Sequence, residues 1–268
     1  MLDQFAWLLP LVERGVLFVA VFFVAGLWVI SLAMKDSSIV DVFWGPGCAA
    51  VAWVYYLGGA SGQPRAILAV GLATAWGLRL GWFIGSRNWG TEDPRYARLR
   101  AHVTGLGRNY ALYSLRAVFA FQGVAMVICT APLLFAITLP GGRTGPLAWL
   151  GGAIAIGGLI VETIGDQQMR AFRAGRRKPG AVMDRGLWRY SRHPNYFGEM
   201  LVQWGLFFIA LDTGPLAWLT IVAPALLSYL IMGPMGAGLL ERRLLKKNPG
   251  YAAYVARTSA FIPMRPKR

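Results

Sequence analysis

The sequence predicts an all-α protein that crosses a membrane seven times, and three observations lead there. Apolar residues make up 56% of the 268-residue chain and its mean hydropathy is +0.48, more than an ordinary soluble domain carries. Apolar windows close to the length of a bilayer-crossing helix recur from end to end. The basic residues behind the formal net charge of +15 gather in alternate connections between those windows.

The windows run Val16 to Met34, Val40 to Gly59, Ala66 to Ile84, Ala111 to Leu139, Leu147 to Ile164, Phe197 to Leu211 and Leu216 to Leu240. Gly45-Pro46-Gly47 interrupts the second, the sixth is short, and Pro132, Pro224 and Pro234 fall in the fourth and seventh, since proline removes a helix donor and crowds the preceding turn. The first is read as a span and not a signal peptide, because Asp3 and Glu13 precede it in place of a basic region.

Charge orients the bundle. The connection after span three holds Arg87, Arg95, Arg98, Arg100, Arg108 and Arg116, and the one after span five holds Arg170, Arg173, Arg176, Arg177, Lys178, Arg185, Arg189 and Arg192. The segment after span seven carries Arg242, Arg243, Lys246, Lys247, Arg257, Arg265, Lys267 and Arg268, whereas the opposite connections offer only Arg65 and Arg143. Positive charge stays on the cytoplasmic side, which places the N-terminus outside, the C-terminus in the cytoplasm and an odd number of spans between. A single membrane-embedded domain over 1–268 is expected, as a monomer. The charge has this cause and not nucleic acid, for which no motif is present. Cys48 and Cys129 lie far apart in apolar windows and read as small buried hydrophobes. With only His102 and His193 and no Cys or acid cluster beside them, no metal site is expected.

Polar chemistry concentrates in the run Arg192-His193-Pro194-Asn195-Tyr196-Phe197-Gly198-Glu199, at the threshold of the sixth window. A Glu and an Asn carried toward a bilayer must be paired or line a cavity, so their presence points to function. Tyr196, Glu199 and Gln203 fall on one helical face. In the fifth span Glu162, Asp166, Arg170 and Arg173 recur at steps of four, four and three, a second polar stripe. A self-paired, solvated helix end explains the stripe equally simply, except that Glu162 lies deep in the window. Between stripe and motif come Gly175 to Gly180, rich in Arg and Lys, and Trp188 with Tyr190. Guanidinium forks and aromatic faces are the parts that hold a phosphate-bearing, ring-containing cofactor. A positive-inside loop with interfacial aromatics explains the charges but not Asn195, Glu199 and Gln203.

Gly186-Leu187-Trp188, followed by Arg192-His193-Pro194-Asn195-Tyr196 and Gly198-Glu199, resembles the signature of the steroid 5-alpha-reductase family and its bacterial branch, which extends to sterol reductases and more distantly to isoprenylcysteine carboxyl methyltransferases. The likeness covers roughly the last 110 residues. Asp166, Arg170 and Arg173 stand where that family has acidic and basic residues before the motif, and Tyr254 with Pro263 fits its tail. Upstream, Asp41-Val42-Phe43-Trp44-Gly45 and Glu92-Asp93-Pro94-Arg95-Tyr96 look like pieces of the bacterial branch.

The resemblance implies NADPH-dependent reduction of a carbon-carbon double bond conjugated to a ketone, as in a 3-oxo-delta-4 steroid. Spans one to four (1–140) would surround the apolar substrate, and spans five to seven with their loops (141–268) would bind the cofactor. The implied cofactor contacts are Asp166, Arg170, Arg173, Asn195 and Glu199, with Trp188, Tyr190, Arg192, His193, Tyr196, Glu241 and Tyr254 as neighbours. Glu241 would orient the cofactor or pair with Arg243. No Gly-x-Gly-x-x-Gly unit is present for a Rossmann domain. Hydride arrival at the beta carbon throws negative charge onto the carbonyl oxygen, which a Tyr or a protonated acid can stabilise. Family members acting on steroids use an acid near the start of the second helix and a Tyr on the third. Asp41 fits the first, but no Tyr occurs between Ala66 and Gly90, leaving Tyr55, Tyr56 and Tyr96 as further candidates. For Asp41, a helix N-terminal carboxylate facing the dipole is the plain alternative. Trp44, Trp53 and Trp82 would line a sterol-sized cavity or face lipid. The rival reading is an S-adenosylmethionine-dependent methyltransferase of the isoprenylcysteine type, against which Asn195 and Gly198-Glu199 speak; a transporter is a third. The expected location is a bacterial plasma membrane, or the endoplasmic reticulum of a eukaryote.

Overall fold

The computed structural model describes residues 8–59, 62–139, 144–175, 180–233 and 236–267. Among them there is no strand, only an isolated bridge between Ser191 and Ser259. The helices are α1 (Leu9–Met34), α2 (Ile39–Gly59), α3 (Pro64–Asn88), α4 (Pro94–Gly105), α5 (Tyr110–Thr138), α6 (Pro146–Ala174), α7 (Pro194–Leu211), α8 (Val222–Met232), α9 (Ala237–Lys247) and α10 (Pro249–Arg257). Six stretches are long and apolar enough to cross a membrane: α1, α2, α3, α5, α6 and Pro215–Lys247. An integral membrane protein follows from them. The helix over the sixth window, α7, is 18 residues long and is not among the six; it opens with Pro194, Asn195 and Glu199, which dilute its hydropathy. Arg143, Arg176, Arg177, Lys178 and Pro234 lie outside the described residues.

The chain forms two compact units, Met1–Trp149 with Ile209–Ala223, and Leu150–Phe208 with Pro224–Arg268. In the first, α2 does not break at Gly45-Pro46-Gly47 as its composition predicts: the helix runs through Pro46. The partner helix explains it. A Cβ on Gly45 would come within 2.6 Å of the Gly77 carbonyl oxygen of α3, and one on Gly81 would meet the Pro46 ring at 2.6 Å. Small residues on α3 therefore give the proline ring a seat, as close helix pairing in membranes requires. Two π-helical stretches, Val19–Gly26 in α1 and Leu115–Ala120 in α5, lie within long helices. Arg65 of α3, 2% exposed, donates to the carbonyls of Ala136 (3.1 Å) and Leu139 (2.6 Å) at the end of α5 and stands 4.0 Å from Asp212. The same Asp212 accepts from the Gly145 amide at 2.9 Å.

In the second unit α6 and α7 touch backbone to backbone. A Cβ on Gly198 would lie 2.5 Å from the Glu162 amide, one on Gly205 2.5 Å from the Gly151 carbonyl, and one on Gly165 3.1 Å from the Asn195 amide. Gly151, Ala155, Gly158, Glu162 and Gly165 follow helical spacing, so a single narrow stripe of α6 faces Asn195, Gly198 and Gly205 of α7.

Candidate functional site

In the second unit the seam ends in the polar residues that the motif supplied. Asp166 Oδ1 accepts from Asn195 Nδ2 at 3.1 Å. Glu162 and Asp166 are only 2% and 4% exposed, whereas Arg170 and Arg173, further along the same stripe, reach the exterior. The stripe is thus divided between a buried acidic half and an exposed basic half. On α7, Tyr196 and Glu199 are half-buried and Gln203 is buried.

The loop before α7 is held from both sides. Trp188, buried in a 3-10 turn (Gly186–Arg189), donates its ring N–H to the Gly165 carbonyl at 3.0 Å, and the Leu187 amide donates to Gln168 Oε1 at 3.0 Å. Tyr254 of α10 donates to the Trp188 carbonyl and reaches the Ser191 carbonyl at 3.3 Å. Burial, with Tyr251 beside it, holds the Tyr254 phenol above its ordinary pKa, so it remains a donor. Arg192 forks onto Glu241 of α9 with bonds of 2.7 and 3.1 Å, and its third nitrogen donates to the carbonyls of Val255 (3.2 Å) and Thr258 (2.6 Å). His193 Nε2 sits 2.8 Å from Glu241 Oε1. Glu241 therefore pairs with Arg192 and His193, where the sequence left a choice between cofactor and Arg243. Around this core, Arg185, Arg189 and the Tyr190 ring are exposed. Exposed Arg170, Arg173, Arg185 and Arg189 form a donor set suited to phosphate oxygens, and the Tyr190 face suits a planar ring.

The first unit holds a second polar cluster. Asp41, in the first turn of α2, accepts from Tyr96 OH at 2.7 Å and from Arg95 Nη2 at 2.8 Å. Gln122 of α5 donates to the Tyr96 oxygen at 3.2 Å. Pro94 fills the first helical position of α4, where a missing N–H costs nothing, and Asp93 caps it by accepting from the Arg95 amide at 2.8 Å. Burial alone would raise the Asp93 carboxyl, but the bonds from the Arg95 side chain and amide hold it below the ordinary range. Burial would lower Arg95, and the Asp41 and Asp93 carboxylates outweigh it to raise the guanidinium. Burial and then the Asp41 charge push Tyr96 well above an ordinary phenol. Next to it Glu92 accepts from Arg100 at 2.7 Å and from the Ser37 amide at 2.9 Å, and Arg100 donates to the Lys35 carbonyl at 3.0 Å. These bonds clamp the α1–α2 turn, where Lys35 takes the left-handed conformation with φ of 54°.

Of the three residues expected to act on the substrate, Asp41 and Tyr96 are brought together and Tyr56 is not: its ring stands edge-on to Trp53 at 5.5 Å. Tyr55 is buried against Gly15, and Trp44 meets Phe23 at 6.3 Å. Trp53 donates to Thr74 at 3.1 Å, and Trp82 is 75% exposed. Sequence reasoning passed over Arg95 and Gln122. A glutamine inside the fourth apolar window was the available signal for Gln122.

The chain is 25% identical to an uncharacterized protein of Schizosaccharomyces pombe over 270 residues, covering 88% of this chain and 75% of that protein. No solved structure matches. A family model described as a protein of unknown function, DUF1295, matches residues 27–258. With that model spanning most of the chain, both polar clusters included, the protein belongs to the DUF1295 family.

Proposed function

We propose that the protein is a membrane-embedded, NADPH-dependent reductase of a carbon-carbon double bond conjugated to a ketone, with a 3-oxo-delta-4 steroid or a similarly rigid lipid as substrate. The observation that carries this reading is the Asp166–Asn195 bond at 3.1 Å. It joins two residues that the family resemblance assigns to the cofactor, and the exposed guanidinium groups of Arg170, Arg173, Arg185 and Arg189 surround the same segment of chain. That donor set fits a dinucleotide with an extra 2'-phosphate, which asks for several charged forks. When bound, the reduced nicotinamide supplies a hydride. The protein's own part is to seat the phosphates on arginines, to orient the carboxamide end through Asn195, and to stabilise charge growing on the substrate oxygen.

For the last task the first unit offers Tyr96. Both Asp41 oxygens accept hydrogen bonds, so Tyr96 is the donor of the pair and Asp41 its anchor. A phenol kept protonated by burial is suited to donate to an oxyanion. In this reading α7 is a short seventh span, the N-terminus lies outside and the basic C-terminal segment lies in the cytoplasm, in line with the arginine distribution.

Detergent-purified protein tests the proposal. The expected result is stoichiometric NADP(H), seen by mass spectrometry and as reduced-nicotinamide absorbance, consumed on adding progesterone. Recovery of S-adenosylmethionine, or of no nucleotide even after incubation with NADPH, overturns it.

A further inference from the structure

Every polar atom of the Arg192–His193 corner is answered by the C-terminal part of the second unit. Arg192 forks onto Glu241 and donates to the carbonyls at the end of α10. The Arg192 amide donates to the Ser259 carbonyl at 2.8 Å, and the Met264 amide donates to the Tyr190 carbonyl at 3.0 Å. The His193 ring, 2% exposed, stacks between Tyr196 at 5.6 Å and Phe261 at 5.4 Å while its Nε2 faces Glu241. A guanidinium whose nitrogens already meet a carboxylate and two carbonyls, and an imidazole closed between two rings, are poorly placed to grip a phosphate. They are well placed to hold the loop that leads into Asn195.

We propose that Glu241 is a positioning residue: by joining Arg192 and His193 it clasps the residues after α10 over the motif loop and so aims Asn195. The inference rests on the cofactor reading above. Glu241 touches no cofactor in it and acts only through the two cations of the motif. Loss of its carboxylate leaves a half-buried guanidinium with carbonyl partners alone, and the loop relaxes away from the segment that covers it.

The test uses the full chain in detergent. Hydrogen exchange without nucleotide reads the clasp directly, through the Arg192 and Met264 amides that bridge loop and C-terminal segment. Kinetics with NADPH then read its effect. Glu241→Ala should speed exchange at those two amides about tenfold and raise the KM for NADPH by about tenfold, with less effect on turnover at saturation. Glu241→Gln, which keeps an acceptor for Arg192, should recover most of both. Unchanged exchange at the two amides overturns the clasp, as does faster exchange with an unchanged KM. Should Glu241→Ala not fold, Arg192→Lys keeps the charge, loses the fork, and is read in the same two ways. If wild-type protein takes up no NADPH, the cofactor reading fails, and exchange alone then decides whether Glu241 holds the loop.

Discussion

Tyr96 donates to Asp41 and accepts from Gln122, and this pair of bonds sets what its substitution should do. Tyr96→Phe keeps the ring and removes the only group of the three that has an O–H to give. Turnover of a 4-ene-3-ketone is expected to fall about a hundredfold with NADPH binding intact. Asp41→Asn retains an acceptor and should fall between wild type and Asp41→Ala, which frees Arg95 and Tyr96 together. Equal turnover in all these proteins would confine Asp41 and Tyr96 to fastening α4. At the other cluster, Arg173→Ala and Asn195→Ala should raise the KM for NADPH, each removing a directed contact worth about 1.5 to 3 kcal/mol where charge is involved. Wild-type NADPH dependence in both would show that the cofactor has been misplaced. Asp41 and Tyr96 were each legible in the sequence, but their contact was not. They stand 55 residues apart, and Tyr55 and Tyr56 matched the same chemical description. Arg192, His193 and Glu241 were legible as a polar group, but which cation Glu241 would choose depended on where α9 turns, and no local pattern states that.

Helix by helix, hydropathy did most of the work. Six of the seven windows reappear as stretches long and apolar enough to span a bilayer, because the requirement for length and apolarity leaves a strong imprint on composition. The run through Pro46 did not show in the sequence, since it depends on Gly77 and Gly81 of a different helix. The α6–α7 seam offers a test of how tightly helices set the site. Gly198→Ala places a methyl 2.5 Å from the Glu162 amide, while Gly157→Ala, on the neighbouring turn of α6, meets nothing within 4 Å. Overpacking of this kind costs about 1 to 3 kcal/mol. Thermal melting in detergent should therefore show a clear drop for Gly198→Ala and none for Gly157→Ala. Matching melting curves would mean that the helices part without cost.

For the molecule as a whole, arginine distribution predicts sidedness. Cysteine placed at Gln63 should react with an impermeant maleimide in intact cells, and cysteine at Lys246 only after permeabilisation; the reverse pattern would invert the orientation. How the chain divides was hidden, because the return of Ile209–Ala223 to the first unit depends on contacts between residues far apart in sequence. That return has a bearing on how the protein is made. Arg65 emerges early in synthesis, yet its only carboxylate neighbour among the described ion pairs is Asp212, translated after four more helices have been laid down. Until then a guanidinium destined for a buried place has backbone carbonyls alone to answer it. A nascent chain halted before residue 212 therefore holds an incomplete first unit, and a gene split within the α6–α7 connection yields an N-terminal fragment that must borrow its closing segment from the other product. Maturation of this half is expected to be late and post-insertional, exposed to quality-control proteases for as long as Asp212 is missing.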